Sequence, residues 1–293
     1  MSKLSVIIPS YRDPYLNKTI NGVLNSAKED IEIIVFLDGF IPGTKLIQDD
    51  RVIYTLSEKN IGMRSAINIA ANRATGKYIM KLDSHCSISD GFDIKMKSDL
   101  KEDWISVPSR YNLNIKKWKK YNGPIDHLYL KYPDNLKREV GFRYRDFKER
   151  ADIFKNELIT EIIGFQGSCW FMHNDFFNKL GGLDVKTFSN FGAEAHELSM
   201  KTWLATDGKV VRNRNVWYAH YRQQGKRSDS LRNDMLYSMK KSFELDMFNG
   251  WTGQKRPFKW VIDKFGPFPG WPDNWHTDSY INNLKEQGYI HHG

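Results

Sequence analysis

Four short apolar runs in the first 82 residues constrain the fold more than anything else in the chain. Residues 3–9 (KLSVIIP), 31–37 (IEIIVFL), 52–56 (VIYTL) and 77–82 (KYIMKL) are strand-length, and most lack a regular polar alternation. Strands of that kind are buried on both faces, so helices must cover the sheet above and below. Residues 14–28 supply one helix, with Leu16, Ile20, Val23, Leu24 and Ala27 at helical spacing. Residues 64–74 (RSAINIAANRA) supply an alanine-rich second, ended by Thr75-Gly76. Strand, helix, strand, strand, helix, strand reads as the nucleotide-binding half of an α/β fold with a mainly parallel sheet. Ligands of such sheets sit beyond the carboxyl ends of the strands, where Asp38 and Asp83 fall.

Residues 109–150 break the pattern. They hold twelve Lys/Arg and five Asp/Glu, a balance of +7, interleaved with Trp118, Tyr121, Tyr129, Tyr132 and Tyr144. The whole chain has 44 basic and 35 acidic residues, 44 − 35 = +9, so most of its net charge lies in this stretch. It reads as an excursion of strands and loops flanking an active site. With Arg212, Arg214, Lys226 and Arg227 it fits a phosphate-tracking surface with stacking rings. A solvated basic face fits it as well.

Further on, residues 161–171 return to a buried pattern, residues 174–180 form a short helix closed by Gly181-Gly182, and residues 193–206 form an amphipathic helix. A strand over 209–218 and a helix over 230–247 precede a tail rich in Trp, Pro and Gly. Trp251, Trp260, Trp271 and Trp275 are expected to pack on the core, because exposed tryptophans are costly. His291-His292 reads as a tail with no metal partner. The expected organisation is a catalytic domain over 1–225, with halves 1–100 and 101–225, and a helical, aromatic extension over 226–293.

No apolar run reaches the roughly 18 residues of a membrane span. Cys86 and Cys169 do not make a disulfide framework. The N-terminal apolar stretch is too short for a signal peptide, so a cytoplasmic location is the expectation.

The candidate chemistry sits at strand ends. Asp83 and His85 are two apart, so in extended backbone both can reach one metal ion. An oxygen/nitrogen set suits Mn²⁺ and other divalent ions. His220, at the end of a later strand (WYAH), is a candidate third ligand. A strand-end cap and a structural histidine are the alternatives. Asp38 can accept from a nucleotide, or simply close the turn Asp38-Gly39. Arg64 opens a helix and makes an anion site there, or is an ordinary surface arginine.

In combination, VIIPSYRD (6–13), FLDG (36–39), NIGMRSAINIAANRATG (60–76) and KLDSHC (81–86) resemble the GT-A glycosyltransferases. GFQGSCWFM (164–172), GGLD (181–184), FGAEAHELSMKTW (191–203) and AHYR (219–222) are similar to the polypeptide N-acetylgalactosaminyltransferase branch and its bacterial or viral relatives. The resemblance implies a metal-dependent enzyme with a UDP-sugar donor. It matches Asp83, His85 and His220 to manganese ligands and Asp38 and Arg64 to nucleotide contacts. Glu194 matches an acidic residue near the donor sugar, with Gly167 and Ser168 in a small-residue stretch beside it. Phe191 falls where the family has a tryptophan on a mobile loop that closes over the donor. Arg222 lies two residues past His220, where the family places its diphosphate-clamping arginine three past.

Many inverting relatives have a Glu-Asp pair whose Asp is the general base; this chain has Glu194-Ala195. Glu197 is the candidate substitute. The absence of the Asp favours retention of anomeric configuration, with the leaving diphosphate helping to take the acceptor proton. The resemblance, the +9 charge and the expected location rank hydroxymethylated pyrimidine in DNA first as acceptor. Protein Ser/Thr or a surface polysaccharide comes second. A non-catalytic DNA-binding module on a degenerate transferase fold is the reading from another class.

Overall fold

A computed structural model describes residues 2–133, 141–222 and 228–289. The first half follows the apolar runs. Strands β1 (Leu4–Ser10), β2 (Ile31–Asp38), β3 (Val52–Ser57) and β4 (Tyr78–Leu82) lie parallel in the order β3-β2-β1-β4. Helices α1 (Leu16–Ser26) and α2 (Met63–Asn72) are the crossovers. Alternate residues of the strands feed opposite faces. Leu4, Val6 and Ile8 join a core with α1, while Ile7, Ile34 and Phe36 join a second core with α2.

After β4 come β5 (Cys86–Ile88), α3 (Phe92–Asp99), β6 (Trp104–Asn114) and β7 (Lys119–Ile125). Strands β8 (Leu128–Lys131) and β9 (Arg143–Asp146) form a separate two-stranded sheet. Helix α4 (Lys148–Ile153), β10 (Ile159–Glu161), β11 (Cys169–His173) and α5 (Asn174–Lys179) follow. Helix α6 (Glu194–Met200) continues into a π-helical turn, Lys201–Ala205. The long strand β12 (Lys209–His220) precedes α7 (Asp229–Met247), α8 (Phe258–Phe265) and α9 (Asp278–Glu286). Strand β11 runs antiparallel to β4 and extends the sheet to β6, β12 and β10. Strand β12 is parallel to β6 and antiparallel to β5, which brings the end of β12 back to the loop after β4.

Residues 109–150 are not one basic face. Tyr132 is buried, and Tyr129 and Tyr144 pack against the larger core, while Lys116, Lys117, Lys119 and Lys120 around β7 are exposed. Arg212 is buried and Arg214 mostly so, both held by Asp126, which removes them from a phosphate-tracking surface. Lys226, Arg227 and His291-His292 lie outside the described residues.

The tail tryptophans do pack inward. Trp251 and Trp275 are buried, and Trp271 stacks on Phe142 with centroids 4.9 Å apart while donating to the Leu130 carbonyl at 2.6 Å. These contacts join the C-terminal helices to the core that α2 and α6 share. Cys86 and Cys169 are both free and buried. No helix among the described residues is long and apolar enough to cross a membrane.

Candidate active site

Strand register builds the site. Asp83 follows β4 directly, and its backbone N–H donates to the Ser168 carbonyl at 2.9 Å, just before β11. Antiparallel pairing sets His220 of β12 opposite Cys86 of β5, beside His85. The backbone of Tyr221 then donates to the His85 carbonyl at 3.1 Å and locks that edge. The two imidazoles face each other, with Nε2 atoms 3.0 Å apart. His220 Nε2 lies 3.2 Å from Asp83 Oδ2. One ligand atom from each of Asp83, His85 and His220 therefore falls within 4.8 Å of the others.

Neighbouring groups orient these donors. Lys81, buried in β4, pairs with Asp83 Oδ1 and donates to the Gly167 carbonyl at 2.6 Å. That leaves Oδ2 toward the histidines. His85 Nδ1–H donates to Asp13 Oδ2 at 2.5 Å, so Nε2 is the atom that faces the cluster. Ser84 Oγ at 2.9 Å and the Tyr15 amide at 2.8 Å also donate to Asp13. Burial opposes the charge on Asp13, but His85 and these donors hold its carboxyl below the usual range. Burial likewise opposes Asp83 ionisation, and Lys81 and the two histidines outweigh it. Burial pushes the His220 imidazole down, toward the neutral form that ligates metals.

The three donors fit a divalent ion. Two metal–nitrogen bonds of about 2.1 Å at right angles set the nitrogens about 3.0 Å apart, the separation observed. Asp13 fixes the ring of His85, as a carboxylate does beside metal-binding histidines in general. Asp13→Asn is expected to weaken Mn²⁺ affinity about 10- to 100-fold with the fold retained. Isothermal titration with Mn²⁺ measures it, and unchanged affinity removes Asp13 from the site.

The remaining candidate residues divide. Gly167 lies against the site, and a Cβ built on it comes 3.7 Å from the Ala195 side chain. Lys81, Gly167 and Ala195 thus link the triad to the start of α6, where Glu194 accepts from the Gly192 amide at 2.7 Å. The Ser168 hydroxyl is 2.8 Å from Tyr218 Oη, so it braces β11 against β12. Arg222 is exposed two residues past His220.

Four other candidates are engaged within the fold. Asp38 does not present a free carboxylate. Its Oδ1 accepts from the Ile61 amide at 2.7 Å, and its Oδ2 accepts from Asn60 Nδ2 at 2.9 Å and the Gly62 amide at 3.1 Å. Asp38 shapes the loop before α2. Arg64 is 1% exposed and its ion-pair partner is Glu197, so its charge is not offered to a nucleotide. It also donates to the Gly192 carbonyl at 2.6 Å and stacks over Phe188 at 4.3 Å. Glu197 is fully buried, with Oε1 accepting from the Asp184 amide at 2.8 Å and from Lys201 at 2.6 Å. Phe191 sits on a loop docked against α7. Ser238 donates to its carbonyl at 3.0 Å, and Ser189 pairs with Asp234.

Comparison with known proteins agrees with this geometry. The model of Glycosyl transferase family 2 matches residues 5–181. An uncharacterized glycosyltransferase of Methanocaldococcus jannaschii is 27% identical over 173 residues, 54% of this chain and 52% of its own length. Chondroitin synthase of Pasteurella multocida is 29% identical over 119 residues, 38% of this chain and 12% of its own length. The chain thus spans about half of the first relative and a small part of the second. Among solved structures, GalNAc-T7 with UDP, GalNAc and Mn²⁺ aligns over 98% of this chain and 50% of its own, with TM-score 0.58 and 15% identity. That likeness shows the GT-A fold. With more than half of its length matched, the chain belongs to glycosyl transferase family 2.

Proposed function

We propose that the protein transfers a sugar from a UDP-sugar to a hydroxyl on a polyanionic polymer, with a divalent ion held by Asp83, His85 and His220. The carrying observation is the convergence of those three donors at the ends of β4 and β12. An ion bound there supplies positive charge for the leaving diphosphate. Lys81 keeps Asp83 ionised and turned toward the histidines. Asp13 fixes the His85 tautomer. Glu194 is the acidic group beside the donor sugar. Ala195 follows Glu194 where inverting relatives carry an Asp, and Glu197 is held in its ion pair, which supports retention of configuration. Proton NMR of the product anomer, read against the donor, tests that point.

An acidic polysaccharide is the favoured acceptor. The observations behind it are the exposed cations of β7 and the family relation to a polysaccharide synthase. Modified DNA is the second reading, carried by one feature. Lys120 Nζ lies 4.3 Å from the ring centroids of both Tyr111 and Trp217, beside exposed Tyr121, and rings among lysines also suit bases and phosphates. Mass spectrometry of products from uronate-containing oligosaccharides and from DNA with 5-hydroxymethylpyrimidines separates the two. A hexose gain on the base alone reverses the ranking. A gain on neither removes both.

Reversing charge at Lys119 and Lys120 is expected to weaken polyanion binding several-fold and to flatten its salt dependence, with UDP affinity unchanged. Binding to heparin and to duplex DNA at several salt concentrations checks this. A change confined to UDP affinity contradicts it.

A further inference from the structure

One pleat from the triad lies a charged cavity that sugar transfer as described leaves unused. Arg110 on β6 is in register with Tyr218 on β12, and Asn112 with His220. Residues two apart on a strand share a face about 7 Å apart. Arg110 is buried, and its Nε has no hydrogen-bond partner. Its side chain makes no hydrogen bond or ion pair with any described residue. It lines a cavity of about 20 Å³ with Pro108, Asp126, Gln166, Arg212 and Tyr218. That room holds about one water-sized group, so it admits the tip of a substituent and not a sugar ring.

The surroundings leave positive charge uncompensated. Asp126 Oδ2 serves both Arg212, at 3.2 Å, and Arg214, at 2.9 Å. Its Oδ1 is buried without a partner, as is Arg212 Nε. The adjacent His127 is pushed down to about 3 by burial and by Arg212, Arg150 and Arg214. That depression registers the local positive potential. Two arginines thus share one carboxylate, and Arg110 stands without one, around a cavity that adjoins the triad. A buried guanidinium without a counter-charge is costly, and a carboxylate is the ligand that satisfies it best. The cavity wall is continuous with the triad, because Tyr218 holds Ser168 and the Ser168 carbonyl holds Asp83.

We propose that this cavity receives the carboxylate of an acidic sugar, with Arg110 as its receptor. The inference rests on the transferase reading above and narrows its substrate to a uronate, carried by the donor or by the acceptor end.

The test uses the full chain with Mn²⁺, as wild type, Arg110→Met and Arg110→Lys. Calorimetry measures affinity for UDP, for UDP-glucuronate against UDP-glucose, and for a glucuronate-ended against a glucose-ended oligosaccharide. Wild type is expected to favour one acid-bearing probe by about tenfold or more, and Arg110→Met to lose that preference. Arg110→Lys is expected to keep part of it, with UDP affinity equal in all three. The pair that discriminates identifies the source of the acid. The ligand-free Arg110→Met protein is expected to melt no lower than wild type, since it loses an unpaired buried charge. No acid preference in wild type overturns the proposal. So does an equal loss of UDP affinity in Arg110→Met, which assigns the guanidinium to the diphosphate. A melting point lowered by several degrees overturns it too, because Arg110 is then a structural partner. Wild type that binds UDP without acid preference defeats this inference alone, whereas failure to bind UDP defeats the reading beneath it.

Discussion

Asp83→Asn is expected to lower metal-dependent turnover on the order of 10³-fold in a chain that stays folded. The substitution preserves the shape of the side chain but removes the charge that Lys81 and the two histidines surround. It also leaves Lys81, 1% exposed, with its Gly167 carbonyl contact and no carboxylate. A modest stability cost is therefore part of the expectation, and circular dichroism separates it from the catalytic loss. Turnover within about threefold of wild type contradicts the assignment of Asp83 as a ligand.

The second large effect concerns stability. Arg64→Met leaves Glu197 fully buried with only Lys201 to balance it. Breaking a buried ion pair by removing one partner costs about 3–5 kcal/mol, and Lys201 places this case near the lower end. A loss of about 3 kcal/mol lowers the melting temperature of a chain this size by roughly 6–12 °C. The double substitution Arg64→Met with Glu197→Met is expected to recover much of that loss, because the only charge left unpaired, that of Lys201, reaches solvent. A nucleotide-contact role for Arg64 makes the opposite forecast, a weaker UDP affinity at unchanged melting temperature. Differential scanning calorimetry and UDP titration on the same proteins decide between them.

These two sites mark the boundary of what was legible in the sequence. Asp83, His85 and His220 were readable because each sits at the end of an apolar run, and strand ends are where an α/β sheet gathers ligands. Arg64 and Glu197 also stood out as charges near motifs. Their pairing spans 133 positions of sequence, and no local pattern announces it. The partners of Asp38 were hidden for the same reason. Its strand-end position was plain, but the three donors that saturate it belong to the loop before α2. Lys81 and Asp13 were missed as site residues. A lysine inside the apolar run KYIMKL was the available signal, since a charge buried in a strand requires a partner.

The fold divides similarly. Strands β1, β2 and β4 were evident from continuous apolar runs. Helix α3 was not, because it buries only Phe92, Asp93 and Met96 and shows little amphipathic spacing. Strand β6 was hidden because its second half runs into the basic stretch, where Arg110 and Asn112 resemble a surface segment although Arg110 is buried. The packing of the tail tryptophans followed directly from the cost of exposing them.

The central claim is that Asp83, His85 and His220 hold a divalent ion required for transfer from a UDP-sugar. The most direct measurement is UDP release from a panel of UDP-sugars by protein stripped with EDTA and then titrated with Mn²⁺, alongside His220→Ala. The account predicts no release from the stripped protein, saturable recovery with Mn²⁺, and no recovery in His220→Ala. UDP release that persists in EDTA, or that returns equally in His220→Ala, contradicts it.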